Sequence, residues 1–486
     1  MLINTNNEIM EKGMVDKTAL ILYLLFVFVG WFNIYAASFD LENATDMFDL
    51  STKAGAQLIW IGTSLLLAFA LLKIEVRFYE TYAFLFYIIG IVLLVITAIF
   101  AKEINGSRSW LQLGPFSLQP AEFMKFILSL TLAKVFYAYD FKLMEKKNLL
   151  MVISLILLPV IIVIFQSETG TALVYLSLIL VLYREGLPGG VLFMGVAAVA
   201  YFVLGIRYSE IQLGMLSLGE ILSITLIIIF SSGLVWSYLK RNKVSYYILL
   251  IATLIGVAAF VASQFKVQVN WGLVAIVALS TTSLYLIFLF LRYRAISYLY
   301  VLLFILGSVA FVESTEYVFS DVLQPHQQMR ILVTLGIEQD LNGAGYHVGQ
   351  SKIAIGSGGL TGKGYLNGTQ TKLKYVPEQE TDFIFCTIGE EHGFIGTSIV
   401  IILFFFFFLH LLKLAERQTS VFGRVYGYCV VSIFFFHLMV NIGMVIGLMP
   451  VIGIPLPFYS YGGSSLWGFT ILLFIFLRID KTRKRN

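Results

Sequence analysis

Apolar runs of about twenty residues, the length that crosses a bilayer as a helix, recur from one end of this chain to the other. They lie near 18–38, 56–72, 80–100, 121–138, 149–165, 171–184, 189–206, 218–238, 245–264, 271–291, 297–318, 395–412, 422–447 and 464–478, which predicts about fourteen spans. The expected fold class is an all-α polytopic membrane protein. Composition agrees: only 13% of the 486 residues are charged, against roughly 25% in a soluble domain, and 42 Phe with 26 Tyr suit lipid and its interfaces. An ordinary soluble enzyme and a single-anchor protein are both excluded. The net charge of +4 is dispersed over short loops, so no basic face for nucleic acid exists. Cys386 and Cys429 both fall in apolar runs and make no disulfide framework.

Sidedness follows from the short loops. A cytoplasmic N-terminus puts Lys73, Arg77, Lys142, Lys146, Lys147, Arg184, Lys240, Arg241, Lys243, Arg292, Arg294, Lys413, Arg417, Arg424 and the tail from Arg478 inside, leaving few cations such as Arg207 and Lys266 outside. An even number of spans returns both termini to the cytoplasm. Two polar segments then face outward, about Lys102 to Gln119 and about Gln324 to Thr381. The second interleaves glycines from Gly343 to Gly368 with Tyr346, Ile353, Leu360 and Tyr365, the pattern of a folded loop with tight turns.

Common motifs fail. The Gly358–Gly364 stretch lacks the first glycine of a phosphate loop, since Ser357 stands there, and has Gly364 after Lys363 where Ser or Thr is required. His326, His347, His392, His410 and His437 show no metal-ligand spacing and read as isolated structural or interfacial residues.

Ionisable residues at the outer ends of spans carry more information, because a charge in hydrocarbon costs several kcal/mol and usually faces a cavity or a partner. Asp382 directly follows the glycine-rich loop and opens an apolar stretch containing Glu390 and Glu391. It suits a catalytic or transport role, and equally a first-turn acid stabilised by the helix dipole with Thr381 as cap. In the first polar segment Arg108, beside Trp110, offers a forked cation for phosphate or pyrophosphate, or a snorkelling anchor. Glu122 and Lys125 follow Pro120 three residues apart on one helix face, where they can pair. Glu168 sits in the tight turn Gln166–Thr171. From Met449 to Ser465 prolines and glycines break the backbone at membrane depth, which is tolerated only where protein or a cavity covers it. Outer cations, several acids and a structured loop beside an apolar body describe a site for a lipid with a phosphate-bearing head.

These four elements, with Gly343-Ala344-Gly345-Tyr346-His347, Gln350-Ser351-Lys352-Ile353-Ala354-Ile355-Gly356-Ser357-Gly358-Gly359, Gly362-Lys363-Gly364, Gly368-Thr369-Gln370 and Thr381-Asp382-Phe383-Ile384-Phe385, resemble the SEDS family, its elongation branch more than its division branch. The resemblance covers about residues 20–206 and 297–480. It implies a glycosyltransferase that polymerises lipid II at the outer face of the cytoplasmic membrane, with a class B penicillin-binding protein as partner in the elongation machinery. It carries the essential loop aspartate to Asp382 as general base. The substrate-binding set becomes Arg108, Trp110, Glu122, Lys125, Glu168, Arg330 and Lys363. Where the family usually has Pro-Asp this chain has Ser167-Glu168. No organic cofactor is implied; a divalent cation, Mg or Mn, is compatible with a leaving pyrophosphate.

The expected organisation is a cytoplasmic tail (1–17), a first part of the membrane core (18–206), inserted helices (207–296) and a core helix leading outward (297–323). The large loop (324–381), the last part of the core (382–480) and a basic tail (481–486) follow. A lipid II flippase is the competing class; it predicts charged pairs near mid-membrane.

Overall fold

A computed structural model of the chain describes residues 14–39, 46–103, 107–113, 116–265, 267–338 and 343–483. Most of the expected N-terminal tail, Gly106, Lys266 and the last three residues therefore lie outside the described part. The chain divides into two compact units, residues 1–188 with 346–486, and residues 189–345.

The first unit begins with α1 (Lys17–Ser38), α2 (Lys53–Lys73) and α3 (Val76–Phe100). A short antiparallel hairpin, β1 (Leu111–Leu113) with β2 (Phe116–Leu118), leads to α4 (Pro120–Phe136), α5 (Lys146–Phe165), α6 (Thr169–Leu176) and α7 (Ile179–Arg184). In the second unit come α8 (Gly189–Arg207), α9 (Leu218–Ser237), α10 (Asn242–Gln264), α11 (Trp271–Tyr293), α12 (Ile296–Tyr317) and α13 (Pro325–Thr334). After α14 (Ala344–Ser357) the first unit closes with α15 (Thr369–Lys372), α16 (Ile384–Glu416), α17 (Val421–Val445) and α18 (Gly463–Lys481).

Twelve of the described helices are long and apolar enough to cross a membrane. The other two of the fourteen expected runs are helical but different in kind. One is α4, 17 residues with Glu122 and Lys125 in its first turns. The other is broken at Ser177-Leu178 into α6 and α7.

Each unit has its own apolar core. That of the first unit centres on rings: Phe26 stacks on Phe404 at 4.5 Å, and Phe458 packs on Tyr23, Phe434 and Phe469 at 5.2, 5.4 and 5.8 Å. Ile227, Leu286 and Ile248 are fully buried in the second.

Antiparallel threading gives the first unit two chemically distinct ends. At one end Arg417 pairs with Asp480, and also with Asp16 at 3.3 Å, while His410 meets Asp16 at 2.7 Å and Arg424 meets Glu185 at 2.9 Å. Lys73, Arg184 and Arg478 belong to the same end, Arg478 donating to Ile74 O at 2.6 Å. At the other end, the loop end, lie the hairpin, α14, α15 and the start of α16.

The long α16 is two helices joined at Gly393, whose φ of 64° and ψ of −161° no helix accommodates. Phe394 N–H and Ile395 N–H donate instead to Gly359 O and Leu360 O, at 2.9 and 3.1 Å. Lys363 N–H and Gly364 N–H donate in return to Glu390 O and Glu391 O, both at 3.0 Å. Glycine is required here by proximity: a Cβ on Gly358 would lie 2.0 Å from Gly389 O, and one on Gly362 2.1 Å from Glu391 O.

Candidate functional site

Asp382 lies at the loop end, half-buried, and its backbone is held by three successive bonds. Tyr461 N–H donates to Glu380 O (2.8 Å), Ser460 Oγ to Thr381 O (2.6 Å) and Asn441 Nδ2 to Asp382 O (2.8 Å). Two of these donors come from the proline- and glycine-broken segment between α17 and α18, which is thus covered by protein, as a non-helical backbone at membrane depth must be. The same segment carries Gly453, on which a Cβ would stand 3.4 Å from Asp382 Oδ2. This corrects one expectation. Asp382 does not sit in the first turn of a helix capped by Thr381; α16 starts at Ile384 with Phe383 as cap. The three tertiary bonds keep the Thr381-Asp382 backbone out of the helix. A cavity of about 500 Å³ is lined by Lys53, Lys374 and the stretch Val376–Glu380, with Asp382 outside its lining.

Glu122 and Lys125 do pair, Nζ to Oε2 at 2.7 Å, and are almost fully buried at 3% and 1% exposure. Pro120 at the start of α4 fixes the entry that puts both on one face. Lys125 Nζ is also 3.0 Å from His437 Nε2 on α17 and 4.5 Å from the Phe469 ring centre on α18. Removing one member of such a buried pair costs about 3–5 kcal/mol, because the other charge is stranded.

Glu168 stands in the turn between α5 and α6. It accepts from Thr171 Oγ1 at 2.8 Å and from Gln119 Nε2, while its Oε2 is buried with no hydrogen-bond partner among the described residues. Burial pushes its carboxyl up to about 7, against the hydrogen bond from Thr171. The turn touches the broken segment, since a Cβ on Gly170 would lie 2.6 Å from Ile452 O and 3.6 Å from Gly453 O. Glu168 and Asp382 therefore flank the same stretch of backbone.

The remaining expected residues fall in three places. Arg108 is anchored by its own N–H to Gln166 O at 3.1 Å, which docks the first polar segment on the Glu168 turn. Its side chain is 58% exposed, with Glu103 Oε2 at 3.4 Å, and half-buried Trp110 follows just before β1. Lys363 bonds Glu390 Oε1 at 2.7 Å and Thr369 Oγ1 at 2.6 Å. Glu390 in turn accepts from the N–H groups of Thr369, Gln370 and Thr371 at 2.8, 2.8 and 2.9 Å, fastening the glycine-rich loop to α16. Arg330 stands on α13, in the second unit.

Two side chains at the site were not singled out from sequence. Asn441, fully buried, bonds Ile454 O as well as Asp382 O, both at 2.8 Å. His437, read as isolated, joins Lys125 to Pro455 O. Neither emits a local signal, since a polar residue in an apolar helix becomes meaningful only when its distant partner is known. Among the described residues no group of three or more His, Cys, Asp and Glu side chains could hold a metal ion.

A helical fold in which twelve of the described helices are long and apolar enough to cross a membrane defines the class: a multi-pass membrane protein. The FtsW/RodA/SpoVE family model, described as a cell cycle protein, matches residues 16–215 and 207–485, and the chain belongs to that family. A peptidoglycan glycosyltransferase RodA of Treponema pallidum is 30% identical over 454 residues, 93% of this chain and 94% of the relative. The peptidoglycan glycosyltransferase MrdB of Escherichia coli is 30% identical over 456 residues, 94% and 90%. Among solved structures, a chain from a peptidoglycan synthase complex that coordinates polymerization and crosslinking superposes with a TM-score of 0.61 at 21% identity, over 97% of this chain and 99% of that one. The rod shape determining protein RodA of Thermus thermophilus superposes with a TM-score of 0.54, also at 21% identity, over 97% and 98%.

Proposed function

We propose that this chain is a peptidoglycan glycosyltransferase that polymerises lipid II at the outer face of the cytoplasmic membrane during elongation and shape maintenance. A class B penicillin-binding protein is its crosslinking partner. The loop end faces outward and both termini lie in the cytoplasm, a reading supported by the cations collected at the opposite end. The observation that carries the reaction is the backbone of residues 380–382, fixed by three tertiary bonds that hold Asp382 at the loop end.

Asp382 acts as general base. It takes the proton of the acceptor's 4-hydroxyl as that oxygen attacks the donor's anomeric carbon, and the bond from that carbon to the lipid pyrophosphate breaks with inversion. Arg108, 58% exposed, reaches the departing pyrophosphate, and Lys125 contributes its buried charge from behind, oriented by Glu122. Trp110, Glu168, Arg330 and Lys363 complete the substrate-binding set, Lys363 by holding the loop in place through Glu390. The loop excludes water, which would otherwise attack the same carbon.

The test is polymerisation of lipid II by the purified protein in detergent. Asp382→Ala is expected to lower the rate by at least about 10²- to 10⁴-fold, the usual worth of a general base, with the thermal midpoint unchanged. An active Asp382→Ala protein would remove Asp382 from the chemistry, and an unaltered protein that makes no polymer would leave the flippase reading in place.

A further inference from the structure

We propose that His437 is a positioning residue: accepting from Lys125 and donating to Pro455, it holds the buried cation in register with Asp382. The inference deepens the glycosyltransferase reading above and rests on it. The two ring nitrogens face partners of opposite kind. Pro455 O, 3.1 Å from Nδ1, is a carbonyl and only accepts, so Nδ1 carries the proton. Lys125 Nζ, 3.0 Å from Nε2, is an ammonium and only donates, so Nε2 offers its lone pair. One neutral tautomer alone satisfies both, and a ring with two N–H groups would turn a donor against the lysine. The ring is also locked in place. It is 1% exposed and stands edge-on to Phe469 at 4.8 Å and 87°, the same ring over which the lysine charge sits.

The geometry links this contact to the general base. Asn441 stands one turn beyond His437 on α17. It holds Asp382 O and Ile454 O, while His437 holds Pro455 O, the next carbonyl along. One helix face thus grips two consecutive carbonyls of the broken segment, and from that grip reaches Asp382 on one side and Lys125 on the other. The spacing of base and cation is set by α17, not by α4 or α16 alone.

The experiment measures lipid II polymerisation, as kcat and KM, for purified His437→Leu, His437→Gln, Lys125→Met and the Lys125→Met/His437→Leu double variant. Leucine fills the space without an acceptor, and glutamine restores a carbonyl acceptor near Nε2. His437→Leu is expected to lower kcat roughly ten- to hundredfold with KM within about twofold, the scale of a misplaced catalytic group. His437→Gln should recover most of that loss, and the double variant should be no slower than Lys125→Met. Wild-type kcat in His437→Leu, no recovery in His437→Gln, or an equal further loss in the Lys125→Met background would each overturn the proposal. Should His437→Leu fail to fold, His437→Met takes its place with the same expectations. If the unaltered protein makes no polymer, it is the glycosyltransferase reading that falls.

Discussion

Glu168 has an ordinary carboxyl value of 4.5 when exposed, and burial pushes it to about 7 in the fold. Between those values the folded chain holds a proton that the unfolded chain has lost, so stability falls as pH rises from about 4.5 to about 7 and levels off above. Glu168→Gln, which mimics the protonated form, should flatten that part of the profile. Thermal midpoints of the two proteins compared across this range check it, and parallel declines would show that the side chain is already ionised in the fold. Glu122, Lys125 and Asp382 were legible in the sequence because charges beside apolar runs demand an explanation. His437 was not: its partner Lys125 lies 312 residues away, and nothing near position 437 announces the meeting of α4 and α17.

The glycine-rich loop shows how an element can be legible while its reason is not. Tight turns were expected from the glycine count, and turns are present, but Gly358 and Gly362 are needed because the loop backbone lies directly on α16. Gly358→Ala should therefore undock the loop although φ is not positive there, read as new protease cleavage within 358–372 and a matching loss of polymerisation. Glu390→Ala strands Lys363 and three backbone donors, and should lower stability by about 3–5 kcal/mol. A denaturation series would measure it; Glu390→Gln, which keeps the acceptor oxygen, should lose less. The start of α16 was misread by two residues for the same reason. Helix signals around Thr381 are local, and the bonds from Asn441 and Ser460 that override them are not.

At the scale of the molecule, the apolar runs gave the class, since lipid makes span length a strict requirement, whereas twelve of the described helices and not fourteen reach that length and hydropathy. They could not show that one run is broken at Ser177-Leu178, nor that the compact second unit extends over 189–345, wider than the expected insertion at 207–296. That unit carries a separate core, so Leu286→Ala should cost it about 2–5 kcal/mol of packing while leaving kcat on lipid II unchanged at permissive temperature. A melt with an early transition and intact turnover is the expected result. The break at Gly393 has a mechanical corollary. Lifting the loop strands the amides of Phe394 and Ile395 in a poorly hydrated layer, so the cover behaves as a riveted plate and not a hinged door. Those two amides should then exchange with deuterium only as slowly as the whole unit opens.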